Sequence, residues 1–558
     1  MADDGLTTTS DDGSLHTGQS EILAQDHSPD TFTKQKIFIV EYPTVNTSTG
    51  RTKPTANQAI DQAINQGTLI LNWTGHGNTQ QWAHEDVFSI DQDFPQLANK
   101  GRPFFLVAAT CDFARYDNPK EKSGGELLVL MSGQGAIAEV AADRVGYSDL
   151  NAELNWSLYD NLLYQTDSDG RPVRLGDALW ETKQVLYDQN DQKHHLLGDP
   201  TMRLAIPRAR VSIDSLNGFS AVTPVTVGAL AKVRVAGTLK KPSGVSMNSL
   251  QGKAILEVFD SKRTVPVPEW GDFTFVLNGS LIYRGEVSVH NGALQTVFPV
   301  PKDVSYGTNP SRINVYAWND STDGMGFTEN ISIAGTSTAS VDTTGPGIRI
   351  YFNDESFRPG DIVAPDAMLI VDLTDSSGIN TSTAGIGHKL EATIDGSQRT
   401  IDLTGYYRGN LDTYQSGQVR YQFNGLSEGR HTLTVKAWDI YNNPSTADSY
   451  FDVRSSSQLA IYNVFNFPNP FARSTTFTFQ RSTSDPIDVE IKIYTVAGRL
   501  IQTIEAPSVS DQFVQIPWDG RDRDGSEIAN GVYLYKVTAK SFDRTTSSEA
   551  LGKLAILR

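Results

Sequence analysis

Between residues 33 and 208 short apolar runs alternate with amphipathic ones. TKQKIFIVEY, TLILNW, PFFLVAAT and AIAEVAA predict buried strands. PTANQAIDQAINQG predicts a helix that places Ala56, Ile60, Ala63 and Ile64 on one face and stops at Gly67. SGGELLVLMSGQG and the stretches 149–164 and 174–188 predict further helices. Strands that are apolar throughout and separated by helices predict a parallel sheet covered on both faces, an α/β domain over residues 1–208.

Past LLGDPTMRLAIP the period changes to two. AKVRVAGTL, GKAILEVFD and RINVYAW read as half-buried strands. So do GPGIRIYFN, AMLIVDLTD and RHTLTVKAWD, and then TTFTFQ, DVEIKIYTVAG and GVYLYKVTAK. The spacing and turn signals predict three tandem β-sandwich (Ig-like) modules at 209–340, 341–455 and 456–558, joined by STASVDTTGPG and VRSSSQ. WDGRDRDGSEIANGVY supplies Asp-Gly and Asn-Gly turns. In FPNPF, Phe467 and Phe471 are expected to pack on the last module.

Charge narrows the partners. The chain has 558 residues and a net charge of -18, which disfavours nucleic acid and anionic membrane. Its apolar runs are all shorter than the roughly 18 residues of a membrane span, so no transmembrane segment is expected. The start MADDGLTTTSDDG shows neither the basic nor the apolar region of a signal peptide. A single cysteine, Cys111, excludes internal disulfides and draws attention to that thiol.

Cys111 follows PFFLVAAT, and His76 follows TLILNW between two glycines. In an open parallel sheet, ligands sit at the carboxyl ends of the strands, where both residues fall. A thiol needs a base or an electropositive neighbour to become a nucleophile near neutral pH, and histidine also returns the proton to a leaving amine. Gly75 and Gly77 would allow a tight turn, and Gly77 would let a peptide carbonyl approach. The backbone N–H groups of Gly77 and Cys111 would then hold the oxyanion. A loop histidine and a core cysteine that never meet fit the same residues.

A strand ending in His-Gly and another ending in Ala-Thr-Cys resemble the caspase-like cysteine peptidases. NWTGHGNTQQWAHEDVFS, FFLVAATCDFARYD and LLGDPTMRL, in this order, resemble the gingipain family. The resemblance implies Cys111 as nucleophile and His76 as general base and acid, with no cofactor required. Trp82 and Glu85 would shape the site, and Gly198-Asp199-Pro200 would close the domain. Asp112 and Asp117 are expected to line the cleft or to cap turns. The family's third, orienting acid lies upstream of the histidine, where Asp3, Asp4 and Asp12 are the candidates and Asp4 the choice. Family members carry further sequence ahead of this part, so the chain reads as a fragment.

TDSSGINTSTAGIGHKLEATIDG and GRHTLTVKAWDIYNNPS resemble the module behind the peptidase in the family's sortase-like branch, which serves type IX secretion. The stretch from FNFPNPF to GVYLYKV resembles the C-terminal signal domain of that system. The implied partners are secreted cargo proteins bearing such domains and outer-membrane components of the system. The implied place is the surface of a Gram-negative cell. The implied reaction is removal of the signal domain, with transfer of the cargo to a glycolipid amine. Two other readings stand beside it: a secreted gingipain-like protease exported by its own C-terminal domain, and a non-catalytic adhesin or scaffold. The acidic turns DTTGPG, FNDES and DLTDSSG suit calcium as a structural ion, with no ligand assigned. His388 reads as a packing histidine.

Overall fold

The computed structural model describes residues 1–7, 11–48, 50–305, 307, 309–337, 342–382, 387–397, 400–454, 459–482, 486–511, 513–541 and 546–558. The expected module boundaries at 340/341 and 455/456 fall on or beside positions outside these residues.

The first domain is built on four strands in sequential order: β1 (Ile70–Thr74), β2 (Phe104–Ala109), β3 (Ala136–Ala142) and β4 (His194–Leu197). β1, β2 and β3 run parallel and β4 runs antiparallel to β3, so the sheet is mixed rather than wholly parallel. Side-chain alternation on β2 explains its unbroken hydrophobicity. Phe104, Leu106 and Ala108 face one core, with α2 (Pro54–Gln66) and α3 (Gly124–Leu130). Phe105 and Val107 face a second core, with α1 (Leu15–Asp26), α4 (Ser148–Leu163) and α5 (Leu175–Val185). Helices thus cover both faces. On α2 the four residues named from the sequence are the buried ones. Burying a side chain such as Ile60 contributes about 1.5–3 kcal/mol.

Two expectations for this domain change. TKQKIFIVEY forms no strand: it makes one bridge, Phe38 to Ala2, and then turns through a 3-10 segment at Ile39–Glu41. The place beside β1 is taken by residues 1–3. Met1 and Asp3 exchange backbone hydrogen bonds with Asn72 and Thr74. Helix α1 had no counterpart in the sequence reading, because its buried face is polar: His16, Thr17, Gln19, Ser20 and Glu21.

The first β module also departs from expectation. Its strands at 209–216, 232–240, 252–259, 281–290, 293–299, 311–318 and 323–336 close into a ring, because 252–259 pairs with both 281–290 and 311–318. It is a closed sheet rather than two stacked ones. A hairpin inserted in it, Arg263–Pro266 with Thr274–Leu277, reaches the first domain and buries Phe275 against Phe38 and Ala2. The second module has two sheets over one core. The third pairs a three-stranded with a four-stranded sheet. There Phe471 is buried as expected, but Phe467 is exposed, since alternation along the strand 461–467 turns Asn466 inward and Phe467 outward. His388 packs at a tilt against Trp438 and bonds Asp303. Among the described residues no helix is long and apolar enough to cross a membrane.

Candidate active site

The register of β1 on β2 pairs Thr74 with Ala109, so the segments carrying His76 and Cys111 leave the sheet side by side. The flanking glycines answer to two close approaches. A Cβ on Gly75, whose φ is +153°, would lie 2.3 Å from Cβ of Asp3. A Cβ on Gly77 would lie 2.6 Å from Thr110 Oγ1, one residue before Cys111. Glycine at 75 thus admits an acid to the histidine, and glycine at 77 lets the histidine loop lie against the cysteine loop.

The acid is Asp3. It is fully buried, and its Oδ2 accepts from both the backbone N–H and Nδ1 of His76, each at 2.8 Å. Asp4, the choice from sequence, turns the other way and pairs with Lys53 at 3.2 Å, both side chains being 4% exposed. Extended residues alternate sides, so neighbouring aspartates in one strand-like segment cannot both face His76. Asp12, the third candidate, sits on the other ring nitrogen, 3.3 Å from Nε2. His16 packs edge-on against His76 at 4.9 Å, and His84 lies at 5.6 Å. Burial pushes the Asp3 carboxyl up, but the hydrogen bonds from His76 outweigh it and hold Asp3 below the usual range. The same hydrogen bond raises His76 against the cost of its own burial.

The thiol faces a different environment. Cys111 Sγ accepts from the Gly146 N–H at 3.3 Å and reaches the Gly146 carbonyl at 3.7 Å. Among the described residues no hydrogen bond joins it to His76. Burial pushes the thiol up, the Gly146 N–H opposes this, and Asp112 adds to it. Asp112 follows in a left-handed turn, φ 54°. Asp117 is an exposed rim residue paired with Arg144. Neither carboxylate meets the imidazole.

The remaining motif residues lie behind the site. Trp82 is fully buried and stacks on Trp73 at 5.2 Å. Glu85 is buried on Arg51 at 2.6 Å, and burial together with Asp4 pushes its carboxyl up to about 7. Gly198 packs against Ala138, while the Pro200 carbonyl accepts from Gly176 at the start of α5. His16 was not legible as a site residue, because it belongs to the helix whose polar face hid it. In the second module, Asp342, Asp375 and Asp439 bring ligand atoms within 4.8 Å of one another. The first two come from the acidic turns DTTGPG and DLTDSSG.

Comparison with known proteins bears on this geometry. Residues 1–205 match the profile of Peptidase family C25, and residues 468–543 match the FlgD Ig-like domain. No curated protein matches. Among solved structures, dimeric latent PorU from Porphyromonas gingivalis is 27% identical, with 76% of this chain and 41% of that chain covered and a TM-score of 0.32. The complex of the pro- and mature domains of RgpB, also from Porphyromonas gingivalis, is 16% identical over 50% of this chain and 57% of that one, with a TM-score of 0.24. The chain thus spans about two-fifths of the first and less than three-fifths of the second. Residues 1–205 belong to peptidase family C25, the gingipain family of cysteine peptidases.

Proposed function

We propose that the chain is a caspase-like cysteine peptidase that removes C-terminal signal domains from type IX secretion cargo at the cell surface. The observation that carries the reading is the Asp3–His76 hydrogen bond at the strand end paired with the one bearing Cys111. Asp3 fixes the Nδ1–H tautomer and leaves Nε2 to act as base. The Cys111 proton passes to His76 Nε2 as Sγ attacks the scissile carbonyl. Collapse of the tetrahedral intermediate breaks the C–N bond, His76 protonates the departing amine, and a thioester remains on Cys111. The N–H groups of Gly77 and Cys111 are the proposed oxyanion donors. Water resolves the thioester by hydrolysis. A glycolipid amine resolves it by sortase-type transfer. Cargo proteins bearing such signal domains and outer-membrane secretion components are the partners this reading implies. Calcium at Asp342, Asp375 and Asp439 is the matching proposal for a structural ion.

The test is intact-protein mass spectrometry of a small cargo incubated with this chain or with Cys111→Ala, with and without an amine acceptor. Loss of the signal domain that requires Cys111 supports the reading, and mass gain from the amine identifies transfer. An unchanged cargo with either protein favours the scaffold reading.

A further inference from the structure

Three acceptor atoms converge beside the catalytic position with no donor among them. The Nδ1–H of His76 is committed to Asp3, so its Nε2 presents a lone pair. Ser148 Oγ donates its one proton to Gln19 Oε1, while Gln19 Nε2 donates to the Ser148 carbonyl. Ser148 Oγ therefore accepts from His16 Nδ1 at 3.1 Å, and the His16 Nε2 also presents a lone pair. That Nε2 is buried in a side chain 4% exposed and makes no hydrogen bond among the described residues. Both Nε2 atoms face Asp12 Oδ2, at 3.3 Å from His76 and 3.4 Å from His16. Two lone pairs against a carboxylate are mutually repulsive unless a cation lies between them. A proton on His76 satisfies only one of the two contacts and leaves the buried His16 Nε2 bare.

We infer that Asp12, His16 and His76 form a binding site for a zinc-type divalent ion that withholds the His76 imidazole from Cys111. Nitrogen, nitrogen and oxygen suit zinc, whose bonds of about 2.0–2.2 Å set tetrahedral ligand atoms roughly 3.3–3.6 Å apart. Two of the three ligand spacings, those from Asp12 to the two histidines, fall in that range. The outer contacts fit as well: Asp3 behind His76 and Ser148 behind His16 fix each ring in the tautomer a metal needs. With its Nε2 on the ion, His76 has no lone pair to take the thiol proton. This regulatory consequence rests on the proposed peptidase reading, whereas the site itself does not.

The experiment is zinc titration of the metal-stripped full chain by calorimetry, alongside His16→Gln, Asp12→Asn and Cys111→Ala, with near-ultraviolet circular dichroism to confirm each fold. The expected result is one zinc per chain, bound equally by Cys111→Ala and at least about tenfold more weakly by His16→Gln and Asp12→Asn. Asp12 is a surface residue, so its conservative variant keeps the test valid if His16→Gln fails to fold. No binding by the wild-type chain, or equal binding by both ligand variants, overturns the site. Binding lost in Cys111→Ala places the ion on the thiol and overturns it too. Failure of cargo cleavage in metal-free buffer, with zinc binding intact, would count against the peptidase reading and not against the site.

Discussion

The two strand ends that form the proposed dyad are built in opposite ways. At the His76 end, charges do the tuning: Asp3 holds one ring nitrogen, Asp12 faces the other, and His16 packs edge-on. At the Cys111 end there is burial and backbone, with Gly146 touching the sulfur and apolar Phe113 and Ala114 following. The contrast sorts the roles. A histidine raised by a carboxylate is a base ready to accept a proton. A thiol pushed up by burial keeps its proton until something takes it. The arrangement therefore suits proton transfer at the moment of attack rather than a standing thiolate.

The sharpest way to break this contrast is at Asp3. Asp3→Asn removes the carboxylate that sets the tautomer, and kcat/KM is expected to fall roughly a thousandfold or more. Asp4→Asn, one residue away on the opposite side, should leave kcat/KM within a few-fold while lowering stability through Lys53. Steady-state kinetics of the pair separates the two aspartates. Gly75→Ala should act like Asp3→Asn with a folding penalty added, because the new methyl collides with Asp3 in a backbone conformation that suits glycine. Activity and thermal unfolding of the same sample check this together.

The hairpin of the first β module supports the charged end from behind. Phe275 is buried against Phe38, next to the segment that carries Asp3. Phe275→Ala is expected to cost about 3 kcal/mol or more in chemical denaturation and to lower activity more than the loss of fold alone accounts for.

A smaller effect reports on the buried end. Glu139 on β3 is fully buried against Gly125, neither oxygen has a hydrogen-bond partner among the described residues, and burial pushes its carboxyl up to about 8. A carboxyl raised from 4.5 to about 8 on folding contributes stability that is complete below the unfolded value and is lost as pH rises towards 8. The slope is at most about 1.4 kcal/mol per pH unit. Glu139→Gln should flatten it, as urea unfolding at pH 5 and pH 8 would show.

Much of this was legible in the sequence. The apolar runs gave β1, β2 and β3, the period of α2 gave its buried face, and the strand ends gave His76 and Cys111. The choice between Asp3 and Asp4 was not legible, because strand parity depends on which residue of β1 the chain start pairs with. Helix α1 was hidden because its inward face is mostly polar, and part of that polarity belongs to the site: His16 and Gln19 are among its buried residues. The closure of the first β module depends on one strand pairing on both edges, a long-range fact that period-two alternation does not encode.

The central claim is that Asp3, His76 and Cys111 act as one unit. The most direct measurement is the rate at which a peptide electrophile labels Cys111 in the folded wild type, Asp3→Asn and Asp4→Asn, read by intact mass. The account predicts rapid labelling of the wild type and Asp4→Asn, and at least tenfold slower labelling of Asp3→Asn. Labelling of the wild type no faster than a denatured control, or slowing by Asp4→Asn alone, would contradict it.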